Sequence, residues 1–195
     1  MTIFAYINNK LNKCYVMDKE VLTLGNMLND KYVHVYKDEH NNIIVDGTII
    51  IFDKEYDEFP VKIHKVNGSI NWYGHISSDP YGSLKSLKNF PDIVTGNVYI
   101  FNNPKLTSLD GCPKEIYGSL ICDHCNISDI SGIASKINNN FIASNNPISD
   151  ISALENITVG GNIELIDTPW ANAHKNNIKN ASIIVEKDMQ ETIFD

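Results

Sequence analysis

Apolar residues in this chain recur in pairs two positions apart, and each pair follows a small residue. The pairs are Ile49 and Ile51 after Gly47, Ile70 and Trp72 after Gly68, Val98 and Ile100 after Gly96, and Leu120 and Cys122 after Gly118. The series continues with Phe141 and Ala143 after Asn139, Ile163 and Leu165 after Gly161, and Ile183 and Val185 after Ala181. An i, i+2 relation puts both side chains on one face of a β-strand, so the pattern predicts seven short strands. Successive starts lie 21, 28, 22, 21, 22 and 20 residues apart. The long step contains an inserted HISSDPYG at residues 75–82, after which Leu84 and Leu87 resume the register of Leu106 and Leu109.

A polar turn follows each strand: Asn102-Asn103-Pro104, His124-Cys125-Asn126, Asn145-Asn146-Pro147 and Asp167-Thr168-Pro169. Asn tolerates tight turns and satisfies neighbouring backbone groups, while Pro fixes φ where no ladder bond is needed. A second apolar pair comes next, Leu106 and Leu109, Ile127 and Ile130, Ile148 and Ile151. A strand, a turn and a second apolar segment at this period describe coils stacked along one axis. The pattern L-x-L-x-x-N-x-L-x-x-L is approximated by Val98, Ile100, Asn103, Leu106 and Leu109, and again by Phe141, Ala143, Asn146, Ile148 and Ile151. Over about residues 47–186 the chain therefore resembles the leucine-rich repeat in its short bacterial form, and LTSLDGCPKEI at 106–116 is similar to repeats of proteins encoded by large bacteriophages. The resemblance implies an α/β or mainly β solenoid with a parallel sheet of about seven strands. It implies little about function, because such repeats serve many partners.

Residues 1–46 stand outside the repeat and read as a small α/β cap shielding the first coil, as a repeat array requires. Residues 2–7 alternate like a strand. Residues 18–30, DKEVLTLGNMLND, predict a helix capped by Asp18, with Val21, Leu22, Leu24 and Leu28 at helical spacing. The β-rich runs at 31–36 and 42–45 flank the polar DEHN and predict a hairpin. At the other end, WANAHKNNIKN from Trp170 predicts a short helix on the convex side, with Trp170 closing the core before a last strand at 182–186. Residues 187–195 read as a loosely held tail.

Charge narrows the choice of partners. The formal net charge is −8 and all 16 basic residues are Lys. Nucleic-acid binding draws its affinity from cations against phosphate, and the Arg fork suited to phosphates and guanine edges is missing, so no nucleic-acid partner is expected. No run approaches the ~18 apolar residues of a membrane span, so no membrane partner is expected and the chain reads as cytoplasmic. In that compartment Cys14, Cys112, Cys122 and Cys125 are thiols rather than disulfides.

Cys122, His124 and Cys125 form the one cluster that suggests zinc or thiol chemistry, with Cys112 ten residues upstream. Repeat columns account for the same residues: Cys122 falls in the inward column of Ile100 and Ala143, Cys112 in that of Ile133 and Leu154, and Cys125 at the turn-Asn position. A structural role, with no cofactor and no metal, is the expectation, since buried free Cys behaves as a small hydrophobe. A zinc- or thiol-dependent enzyme built on the three residues is the competing one. Asp110, Asp129 and Asp150 recur with the array and read as turn positions rather than as catalytic pairs.

The outward columns carry the functional expectation. The first position after each start is small and polar: Thr48, Ser69, Asn97, Ser119, Asn140, Asn162 and Ser182. The third holds Ile50, Asn71, Tyr99, Ile121, Ile142, Glu164 and Ile184, and the fifth Phe52, Tyr73, Phe101, Asp123, Ser144, Ile166 and Glu186. An outward face should be polar, yet this one is largely aromatic and β-branched. Strands about 4.8 Å apart make seven of them a sheet roughly 30 Å wide, enough for a sizeable patch. Strand propensity alone, or a covering N-terminal segment, is the competing explanation. Tyr73, Tyr99, Phe101, Ile121, Asp123, Ile142 and Ile166 are the candidate partner-binding residues. The function expected is a non-enzymatic protein-binding module, of phage origin and directed at a bacterial host protein. Self-association through the same strip or through terminal strand edges is the alternative.

Overall fold

The computed structural model describes residues 5–8, 13–16, 18–28, 30–52, 56–74, 82–174 and 183–185. Most of the 75–82 insertion, the start of the first predicted strand, residues 175–182 and the tail lie outside these. The chain begins with β1 (Ala5–Asn8) and β2 (Lys13–Val16), an antiparallel pair, followed by α1 (Lys19–Leu28). Asp18 caps α1 as expected, its Oδ1 accepting from the N–H groups of Glu20 at 2.9 Å and Val21 at 3.4 Å. The DEHN segment turns β3 (His34–Lys37) back onto β4 (Ile43–Asp46), with Asn41 in the left-handed region at φ 65° and Asp38 Oδ1 bonding the N–H groups of His40 and Asn42.

The coils then follow, each contributing one strand to each of two sheets. They run β5 (Ile49–Phe52), β6 (Lys65–Asn67), β7 (Ile70–Tyr73), β8 (Ile93–Val94) and β9 (Val98–Phe101), then β10 (Glu115–Ile116), β11 (Leu120–Ile121), β12 (Lys136–Ile137) and β13 (Phe141–Ile142). A 3-10 turn over Ser152–Asn156 precedes β14 (Thr158–Val159), β15 (Ile163–Glu164), α2 (Pro169–His174) and β16 (Ile183–Ile184). The front sheet, ordered β5-β7-β9-β11-β13-β15-β16, is parallel throughout and consists of the seven strands the pattern predicts. A side sheet, ordered β3-β4-β6-β8-β10-β12-β14, is also seven-stranded and is parallel except for β3. The result is a β-solenoid of about six turns.

Both sheets feed one core. Front-sheet positions two and four point inward: Ile49, Ile70, Trp72, Val98, Ile100, Leu120, Cys122, Phe141, Ala143 and Leu165 are all fully buried. From the side sheet come Val45, Val66, Val94, Ile116 and Ile137, and from the second apolar segment Leu84, Leu87, Leu106, Leu109, Ile127 and Ile148. Each such side chain contributes on the order of 1.5–3 kcal/mol by leaving water. Phe59, Trp72 and Phe90 pack together in the core, Phe59 edge-on to Trp72 at 5.2 Å and 4.8 Å from Phe90. Leu24 of α1 is fully buried and helps close the first coil, while Lys37 of β3 ties the helix down through Asp18 at 3.1 Å and Glu20 at 2.7 Å. Trp170 of α2 packs against the core at the other end, its N–H bonded to Ile148 O.

Polar ladders join the coils where the core does not. Asn102, His124, Asn145 and Asp167 occupy the same point of successive turns and all lie in the left-handed region, with φ between 52° and 57°. The next residue points inward. Asn146 is buried, donating Nδ2 to the carbonyls of Cys122, Ala143 and Ser144 and accepting the N–H of Ile127 at 3.0 Å. Asn103 does the same with Trp72 O, Phe101 O and the N–H of Leu84. A second ladder explains the small polar first column: Ser69 Oγ accepts the N–H of Asn97, Asn97 Oδ1 that of Ser119, Ser119 Oγ that of Asn140, and Asn140 Oδ1 that of Asn162.

A candidate protein-binding face

The outward side of the front sheet is assembled by register. Ile50, Asn71, Tyr99, Ile121, Ile142, Glu164 and Ile184 are directly paired across the seven strands, so the third-position column is one continuous row. Phe52, Tyr73 and Phe101 form a parallel row beside it. Phe52 stacks on Tyr73 with ring centroids 5.4 Å apart, and Phe101 packs on the His124 ring at 5.1 Å. The Tyr99 hydroxyl accepts from Asn97 Nδ2 at 3.0 Å, which holds the ring over the ladder. Tyr73, Tyr99, Phe101, Ile121, Asp123 and Ile142 are half-buried on this face, whereas Ile166, past the end of β15, is only 8% exposed.

Asp123 interrupts the apolar row. Its Oδ1 accepts the N–H of Ser144 at 2.8 Å, and the Ser144 hydroxyl donates to Glu164 Oε1 at 3.2 Å while accepting the N–H of Ile166. Burial raises the Asp123 pKa and nearby Glu164 adds to this, against the opposing Ser144 N–H.

The side sheet presents different chemistry. Its directly paired outward row runs Tyr36, Ile44, Lys65, Ile93, Glu115, Lys136 and Thr158, a mixture of polar and apolar residues. Lys136 covers the ring of Tyr117 at 5.4 Å. Next to this sheet Asp92 gathers Lys62 at 3.2 Å, His64 at 3.3 Å and Lys114 at 3.5 Å. Burial works to raise the Asp92 pKa, but the hydrogen bond and charge of Lys62, the charge of Lys114 and the His64 hydrogen bond outweigh it and hold the carboxyl below its usual value. Sequence reasoning missed this group although His64, Asp92 and Lys114 follow the coil steps of 28 and 22 residues, because they precede the side-sheet strands, for which no pattern was read.

The cysteine cluster does not converge. Cys122 is fully buried in its inward column, and its S–H lies 3.6 Å from Ile142 O. Cys125 replaces Asn in the turn ladder, its S–H reaching Asp123 O at 3.5 Å and Ile100 O at 3.8 Å, while His124 is exposed and turned to Phe101. Burial pushes the Cys112 and Cys125 thiols up to about 12 and Cys122 well above its usual value, which disfavours the thiolate that a nucleophile or metal ligand requires. Among the described residues no three His, Cys, Asp or Glu side chains are arranged to hold a metal ion. Asp129 and Asp150 bond the N–H groups of Ser131 and Ser152, two residues on, and Ser108 does the same for Asp110. These backbone bonds come first among the causes that lower the Asp129 and Asp150 pKa values.

No family model, curated protein or solved structure matches the chain. Among the described residues, no helix is long and apolar enough to cross a membrane.

Proposed function

We propose that the chain is a non-enzymatic protein-binding module that engages its partner through the outward face of the front sheet. The observation that carries this reading is the contrast between the two sheets. Both are built from the same coils, so strand propensity acts on both, yet the front row holds Ile50, Tyr99, Ile121, Ile142 and Ile184 with Phe52, Tyr73 and Phe101 beside it, whereas in the side row Lys65, Glu115, Lys136 and Thr158 outnumber Tyr36, Ile44 and Ile93. Strand propensity common to both sheets does not account for that difference. Half-buried aromatics bracketed by small polar residues suit interface anchors.

Tyr99 and Phe101 are the central anchors, with Tyr73, Ile121 and Ile142 around them and Asp123 as the polar mark. Taken with the leucine-rich-repeat resemblance of the short bacterial and bacteriophage type, the reading is of a phage-encoded inhibitor that occupies a bacterial host protein in the host cytoplasm. The test is affinity capture from bacterial lysate with the wild type and with Tyr99→Ala combined with Phe101→Ala. A protein retained by the first and lost by the second, at unchanged circular dichroism, is the expected outcome. Equal capture by both removes the reading.

A further inference from the structure

Charge is spread unevenly along the coils. Residues 56–115 carry six Lys and six carboxylates, whereas residues 116–174 carry Asp123, Asp129, Asp150, Glu155, Glu164 and Asp167 against Lys136 alone. Two of these carboxylates, Asp123 and Glu164, stand on the outward side of the front sheet with its apolar row. One oxygen of each is engaged, Asp123 Oδ1 by the Ser144 N–H and Glu164 Oε1 by the Ser144 hydroxyl. Among the described residues the ion pairs lie elsewhere, on Asp18, Glu20, Glu39, Asp57, Glu58 and Asp92. Burial and the neighbouring Glu164 disfavour the ionised Asp123, and a cation beside the two would offset that.

The row also has a fixed spacing. Tyr99, Ile121, Ile142 and Glu164 are paired directly from β9 to β15, so they stand about 4.8 Å apart and together span about 14 Å. All four are half-buried; β9, β11, β13 and β15 make their main contacts with their neighbours in the sheet, while α1 packs on β3 and β5. A helix laid across the strands advances about 5.4 Å per turn and so sets one residue per turn on each successive strand. An extended peptide repeats its facing side chains about every 6.8 Å and drifts off the row. About ten helical residues cover the distance from Tyr99 to Glu164.

We propose that the partner segment taken by this face is a basic amphipathic α-helix lying across the strands, its apolar stripe on Tyr99, Ile121 and Ile142 and its Lys or Arg side chains on Asp123 and Glu164. This rests on the protein-binding reading of the front sheet and adds the form and charge of what it binds. The apolar row holds the stripe, and the carboxylates at one end fix its register and reject an acidic helix, which would bring like charges together at a half-buried site.

Fluorescence anisotropy of the full chain with a labelled synthetic peptide of four helical turns, Leu along one stripe and Lys beside it, tests this. Saturable binding is expected, weaker by at least about tenfold for three comparison peptides: the same residues scrambled, Glu in place of each Lys, and Leu alternating with Lys as in a strand. Asp123→Asn with Glu164→Gln keeps the oxygens that accept from Ser144 and removes only charge; it should weaken binding about tenfold at unchanged circular dichroism. Asp129→Asn with Asp150→Asn, in the second apolar segments of the same coils, should leave binding unchanged. The proposal fails if the helical peptide does not bind saturably, if a comparison peptide binds as well, or if Asp123→Asn with Glu164→Gln changes nothing. It fails equally if the two pairs of variants weaken binding alike, which is the general attraction of a basic peptide to an acidic chain. The comparison peptides test the wild type directly, whatever the variants do. If these peptides fail while Tyr99→Ala with Phe101→Ala still abolishes capture from lysate, the binding face stands and only the basic helix is removed.

Discussion

Asn146 and Cys125 occupy the same point of successive coils, and the difference between them measures what the turn ladder is worth. Asn146 meets three carbonyls and one N–H, all inside the protein. Asn146→Ala leaves these groups without partners and should cost about 2–4 kcal/mol, read as a lower urea midpoint, since each buried unsatisfied group costs on the order of 1–3 kcal/mol. At Cys125 the ladder is already broken: the N–H of Leu106, which an asparagine there would accept, turns instead to Asn103 O at 3.0 Å. Cys125→Asn should restore the rung and stabilise by about 0.5–1.5 kcal/mol. A neutral or destabilising result would show that the local turn has relaxed around sulfur. The turn positions were legible in the sequence because Asn and Pro recur there. The inward aim of the second Asn was not, since composition gives the turn but not the direction of a side chain.

At the scale of elements, the front sheet was readable because the inward alternation runs on past the strand ends, Cys122, Ala143 and Leu165 being buried just beyond β11, β13 and β15, which gives each coil an apolar pair. The side sheet was not read at all. From β8 onward its strands are two residues long with one inward side chain each, too short for any period to register. Its trace is a single β-branched residue two positions before each coil start, Val45, Val66, Val94, Ile116, Ile137 and Val159, visible once the coils are aligned. The third-position column was read correctly as one row, but Ser144 and Ile166 of the fifth are buried: beyond the strand end, counting by twos no longer fixes the face. The insertion was recognised by its length. Its ends are held together, Gly74 bonding Phe101 O at 2.7 Å and Gly82 bonding Asn102 O at 3.1 Å. Deleting residues 75–81 turns the 28-residue step into one of 21, matching the regular coils. The deleted chain should fold and shift its melting temperature by only a few degrees, because loop entropy varies slowly with length. Loss of cooperative unfolding would instead make the insertion part of the coil's packing.

For the whole molecule, pH acts from two sides. Asp92, Asp129 and Asp150 have folded pKa values below their usual range, so the stability they contribute is present at neutral pH and is lost as pH falls through those values. Cys112 and Cys125 are pushed up to about 12, so the folded state keeps protons that unfolded thiols release from about 8.5. Their contribution is complete below that point and declines as pH rises toward 12. The urea midpoint should therefore peak near neutrality, and its alkaline decline should shrink in a Cys112→Ala, Cys125→Asn variant. An undiminished decline would place the alkaline sensitivity elsewhere. The ladders have a further consequence for how such a chain changes over generations. Asn97 bonds Ser119 as Asn140 bonds Asn162, so the junction between two coils is nearly the same wherever it falls. Duplicating one 21- or 22-residue unit in the gene would lengthen the outward face by about 4.8 Å while reusing a junction that already fits. Reach is thus a heritable quantity in this architecture, adjustable in whole steps without redesigning a core.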